Sequence, residues 1–153
     1  MMKRFLSLLM IPISMISGCQ KSNDSSSSIY QEPIYNEVEH LHIHWEDLFN
    51  QNNDKYYAYI YSVICTPCSM LREQVIDFAL KEEVPFYFVN PNDDIPFTED
   101  ASLADASINA TSIDQVYCYS TPTLIEITNR VITRYSRDYY EIKSFIESFN
   151  KGE

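Results

Sequence analysis

Glycine is nearly missing from this chain: 153 residues contain two, Gly18 and Gly152, both close to the ends. Turns in between must be built from Asn, Asp and Pro, which tolerate or preset turn geometry without glycine's freedom. Basic charge is scarce as well, with 11 Lys and Arg against 22 Asp and Glu and a formal net charge of −11. A surface of that sign repels phosphate backbones and argues against nucleic acid as a partner. No apolar run reaches the ~20 residues of a membrane-spanning helix. The chain has one CxxC, and neither a second CxxC nor an HxxxH follows it, so a four-ligand zinc site is not spelled out by spacing.

What is present centres on Cys65-Thr66-Pro67-Cys68. The tyrosine-rich, apolar run from Tyr56 to Ile64 precedes it and suits a buried strand. Behind it, Cys68, Leu71, Val75, Phe78 and Ala79 recur at helical spacing, so the cysteines sit where a helix begins. Free N–H groups and the positive dipole end of a first turn stabilise a thiolate, and can lower a cysteine from ~8.5 into the range of ~3.5–7.5. The thiolate is the attacking species in disulfide exchange. Half a zinc site and an inert disulfide are the other readings; the second closes too small a loop to constrain the unfolded chain much.

A second stretch, Ser120-Thr121-Pro122-Thr123-Leu124-Ile125-Glu126-Ile127, leads from a proline into an alternating strand, where a residue without an N–H belongs at the strand's start. Together with the CxxC it resembles the thioredoxin fold, an α/β architecture with a central mixed β-sheet flanked by helices. The resemblance runs from about Glu37 to Phe149. It implies a thiol–disulfide oxidoreductase needing no cofactor, with Cys65 the exposed nucleophile and Cys68 the buried resolving thiol. Thr66 and Pro67 form the active-site dipeptide, and Pro67 leans the expected direction towards a reductase. The backbone of Thr121 would receive an extended client peptide, and a cis Pro122 would shape the groove and keep metal off the thiols. Three positions depart from the family pattern. Ile64 stands where tryptophan is common, Tyr59 replaces the buried acid six residues before the first cysteine, and the lysine paired with that acid is missing from Val84 to Asn90. Proton transfer to Cys68 must then use water or another group, which implies slow turnover or a narrow dedicated client. A peptide-binding module without redox turnover, or a metal carrier using Cys65, Cys68 and a histidine, are the competing functions.

Residues 1–18 read as a signal peptide, with Lys3 and Arg4 ahead of a short apolar core. Ile16-Ser17-Gly18-Cys19 resembles the lipobox of bacterial lipoproteins, making Cys19 the lipidated residue. Residues 19–34, polar and serine-rich, read as a flexible tether, and residues 35–153 as the thioredoxin-like domain. Extracytoplasmic thioredoxin-like lipoproteins, including bacteriocin transport accessory-type proteins, are similar. Removal of the signal would leave 9 basic against 22 acidic residues, so lipid rather than charge would hold the domain at the membrane, facing outward. Expected partners are client proteins with thiols or disulfides and a redox partner at the membrane; the domain is expected to be monomeric.

Within the domain, Val38 to Ile43 alternates and predicts a first strand, followed by a helix from His44. On such a strand His40, His42 and His44 would share a face, which could ligate metal with Cys118 but reads better as a solvated face, so no metal is expected. Val84 to Asn90 predicts a strand parallel to the one carrying Tyr59. Pro91 to Thr111 is an enlarged acidic connection with a short helix capped by Thr98. Cys118 is a possible third thiol, more simply a buried small hydrophobe. Asn129-Arg130 predicts a two-residue hairpin turn. Ile142, Phe145, Ile146 and Phe149 place the apolar stripe of a last helix on the sheet.

Overall fold

Five strands form one mixed sheet in the order β1-β3-β2-β4-β5 in a computed structural model that describes residues 35–150. The expected signal peptide, lipidated Cys19 and tether lie outside the described residues. A 3-10 turn at Tyr35–Leu41 leads into β1 (His42–Ile43), and a second at Trp45–Asp47 into β2 (Lys55–Ile60). Helix α1 (Thr66–Leu80) crosses over to β3 (Phe86–Val89). A short α2 (Ala101–Asp105) and a 3-10 turn at Ile113–Gln115 precede β4 (Thr123–Thr128), β5 (Val131–Ser136) and α3 (Tyr139–Asn150). β1, β3 and β2 run parallel; β4 and β5 are antiparallel additions. This is the thioredoxin-like α/β sheet that the sequence resembles.

The tyrosine-rich strand is central because both of its faces are covered. Tyr57, Tyr59 and Tyr61 face α1 and α3, packing with Cys68, Leu71, Val75, Phe78, Ile142 and Phe145. Tyr56, Ala58 and Ile60 face the opposite layer of Trp45, Leu48, Ile95, Val116 and Cys118. Period-two alternation thus sends successive residues of one strand into two cores. The aromatic rings stack across the first face, Tyr35 on Tyr61 with centroids 3.8 Å apart and Phe88 edge-on to Tyr59 at 5.9 Å.

Three sequence expectations give way here. Val38 to Leu41 is 3-10 turn rather than strand, leaving a two-residue β1 paired at His42↔Phe88 and Ile43↔Val89. The helix predicted from His44 is only the 3-10 turn at Trp45–Asp47. The short helix in the acidic connection is capped by Asp100, whose carboxylate accepts the Ser102 N–H at 2.9 Å; the Thr98 hydroxyl instead accepts the Asp100 N–H. The hairpin turn is as predicted, with Asn129 and Arg130 both left-handed at φ 51° and 63°.

Candidate active site

Cys65 is the N-cap of α1, and Pro67 falls in the helix's first turn, where a missing N–H costs nothing. Cys65 and Cys68 are joined as a disulfide with Cα atoms 5.2 Å apart. The Cys68 N–H donates to the Cys65 sulfur at 3.1 Å, so sulfur performs the capping that a Ser or Asp side chain usually does. That donor and the helix dipole favour negative charge at Cys65 once the pair is reduced. Cys65 is half-buried and flanked by exposed Val63, Ile64, Thr66 and Pro67, while Cys68 is 1% exposed and packed in the core. One sulfur is reachable and the other is sheltered.

Opposite the disulfide, the Thr121–Pro122 peptide is cis, and Pro122 is buried immediately before β4. The Thr121 carbonyl oxygen lies 3.2 Å from the Cys65 sulfur. The structure therefore brings Cys65, Thr66, Pro67, Cys68, Thr121 and Pro122 to one end of the sheet. A cavity of about 290 Å³ is lined by Tyr35, Asn36, Tyr61, Val63 and Arg72, with Arg72 over the Tyr35 ring at 5.8 Å.

Tyr59, six residues before Cys65, is fully buried. Its hydroxyl and that of Tyr35 lie side by side without a hydrogen bond of good geometry. Burial pushes Tyr59 well above its ordinary value and Tyr35 up to about 12, so neither phenol is a carboxylate's equivalent as a base. Cys118 is fully buried, and burial pushes its thiol up to about 12. Its backbone bridges to Phe97, with Thr98 N–H to Cys118 O at 2.8 Å and Cys118 N–H to Pro96 O at 3.0 Å.

The three histidines do not share a strand face, because the chain is in a 3-10 turn until Leu41. His40 is exposed on that turn; His42 sits between the Val38 carbonyl (3.0 Å) and the Tyr61 hydroxyl (2.9 Å). His44 pairs with Asp93 at 3.2 Å, and the hydrogen bond it donates to that carboxylate raises its pKa. Sequence reasoning missed the side chains that hold the approach to Thr121: Ser107, Thr123 and Tyr135. Hydroxyls on separate segments leave no local spacing to detect.

No family model matches the chain, and no curated protein does. Among solved structures, thioredoxin f2 of Chlamydomonas reinhardtii is similar, at 13% identity and a TM-score of 0.45 over 71% of this chain and 94% of that one. The oxidized mitochondrial thioredoxin 3 of Saccharomyces cerevisiae follows at 14% and 0.44, over 70% and 92%. Fasciola hepatica thioredoxin stands at 20% and 0.43, over 67% and 88%. At such scores the assignment of a thioredoxin-like sheet rests on this chain's own strand order, with the CxxC at a helix start facing a cis-proline.

Proposed function

We propose that the domain is a thiol–disulfide oxidoreductase acting on exported proteins, held at the outer face of a bacterial membrane by lipid on Cys19. The observation that carries the chemistry is the asymmetry of the pair: a reachable Cys65 sulfur taking the Cys68 N–H at 3.1 Å, and a sheltered Cys68 behind it. In the reducing direction, Cys65 thiolate attacks a client disulfide, whose S–S bond breaks as a client thiolate leaves and a mixed disulfide forms. Cys68, having lost its proton to water, then attacks the Cys65 sulfur. The second client thiolate departs, and two electrons have passed to the client. A dithiol partner at the membrane would supply the next pair, reducing the Cys65–Cys68 disulfide as its own two thiols become a disulfide. The Thr121 backbone, beside Cys65, is the place for an extended client segment. The anchor, the monomeric state and the reductase lean rest on the sequence: the Cys19 lipobox, the acidic surface and Pro67.

The test is the reduction potential of the Cys65–Cys68 pair in the soluble domain, by equilibration against glutathione and dithiothreitol. A value near ~−270 mV supports a reductase and one near ~−120 mV an oxidant. A pair that cannot be cycled overturns the redox reading. In parallel, Cys68→Ala should accumulate clients as mixed disulfides through Cys65, released by dithiothreitol; retention of clients with both cysteines replaced would mark a binding module instead.

A further inference from the structure

The backbone approaching Thr121 is held by side chains. The Ser107 hydroxyl, on a fully buried residue after α2, accepts the Tyr117 N–H at 3.0 Å and lies 3.4 Å from the Tyr117 carbonyl. The Tyr135 hydroxyl, reaching over from β5, donates to the Tyr117 carbonyl at 3.0 Å and accepts the Tyr119 N–H at 3.2 Å. The fully buried Thr123 donates its hydroxyl to the Ser120 carbonyl at 2.7 Å. The last of these clamped groups, the Ser120 carbonyl, belongs to the residue directly before Thr121. Polar backbone groups leaving water must be paired, so these hydroxyls set where the segment lies. The hydroxyl bearers are themselves fixed: Tyr135 is in register with Ile125 of β4, and Arg137 ties the chain after β5 to the Ala101 carbonyl and to Asp105 beside Ser107.

We infer that Tyr135 is a positioning residue for the reaction, its hydroxyl holding the Tyr117–Tyr119 backbone so that the Thr121 carbonyl stays against the Cys65 sulfur, with Ser107 as its counterpart from the enlarged connection. This rests on the proposed redox function for its biological meaning, though not for its test. The Thr121 carbonyl carries partial negative charge 3.2 Å from the sulfur, so it accepts from a Cys65 thiol and opposes a thiolate. The Cys68 N–H acts the other way. Holding the carbonyl in place therefore sets both the charge balance at the nucleophile and the seat of the client backbone.

Tyr135→Phe keeps the ring and removes the hydroxyl. In the reduced protein, the pH profile of Cys65 alkylation by iodoacetamide should move to lower pH as the carbonyl withdraws. With an oxidised disulfide peptide, KM should rise roughly threefold to tenfold, the cost of one lost hydrogen bond, while kcat holds within about twofold. Thr133→Val, on the same strand but with its hydroxyl bonded to Glu126, should change neither readout. Should Tyr135→Phe fail to fold, Ser107→Ala carries the same two measurements without touching β5. An unchanged alkylation profile and unchanged KM, with only a lower Tm, would overturn the inference and leave Tyr135 a packing residue. If the wild-type protein turns over no disulfide, the functional reading fails, and the alkylation profile still decides the clamp.

Discussion

Cys65 and Cys118 carry one side chain into opposite surroundings. At Cys65 the sulfur is half-buried, faces a helix start and receives an N–H; at Cys118 it is enclosed by the second core layer and its thiol is pushed up to about 12. Reactivity of a cysteine follows thiolate fraction and access. Brief exposure of the reduced native protein to iodoacetamide should therefore label Cys65 and spare Cys118 until denaturant is added, as read by peptide mass spectrometry. Labelling of Cys118 at the rate of Cys65 in the folded state would contradict this. The four residues of the CxxC were legible in the sequence because their chemistry is local, a cap and a helix start within four positions. Tyr59 was legible only as a departure. That its hydroxyl comes to lie beside that of Tyr35, across a ring stack with Tyr61, depends on a 3-10 turn that no spacing announced.

At the scale of elements, the hairpin β4–β5 shows how the domain turns without glycine. Asn129 and Arg130 both adopt left-handed angles, as do Glu82 after α1 and Asn109 after α2. Asn tolerates that region; Arg and Glu pay for their Cβ there. Arg130→Gly should accordingly stabilise the domain by roughly 0.5–1 kcal/mol, the relief of left-handed strain net of glycine's extra freedom in the unfolded chain. Urea denaturation would show it as a higher midpoint at unchanged slope, and a lower midpoint would refute it. β2, β3, β4, β5, α1 and α3 could be read from periodicity because each buries a whole face. The stretch from Val38 could not. Val38 is buried from a 3-10 turn and His42 bonds back to its carbonyl, so alternation in the sequence arises there without a ladder. Likewise Thr98 and Asp100 are both good caps two residues apart, and the choice falls to whichever oxygen meets the Ser102 N–H.

Over the whole molecule, tyrosine governs the response to alkali. Burial pushes Tyr35, Tyr56, Tyr61 and Tyr135 from the usual 10.0 up to about 12, and Tyr59 further. A folded pKa above the unfolded one means that the native state keeps protons the unfolded chain gives up, so stability is intact below pH 10 and is lost between 10 and about 12. The share of tyrosinate absorbance that comes from these buried rings should therefore appear together with the change in far-UV circular dichroism, in one steep alkaline transition. Ionisation of all the tyrosines with the dichroism unchanged would show the buried rings to be accessible. The hydroxyl clamp on the Thr121 approach belongs to this scale as well: Ser107, Tyr117 and Tyr135 lie 10 and 18 positions apart, too far for any local pattern to join them.

The connection after β3 has a final effect at the sheet's margin. Asn109 donates its N–H to the Ile132 carbonyl at 2.9 Å, and Ala110 accepts the Ile132 N–H at 3.0 Å, so the edge strand β5 is already occupied near its start by its own chain. Bare strand edges invite other molecules to anneal to them. Under the proposed anchoring, a domain crowded on a two-dimensional surface would meet its own copies far more often than one free in solution, and the zipper that such encounters would start is already closed at one end.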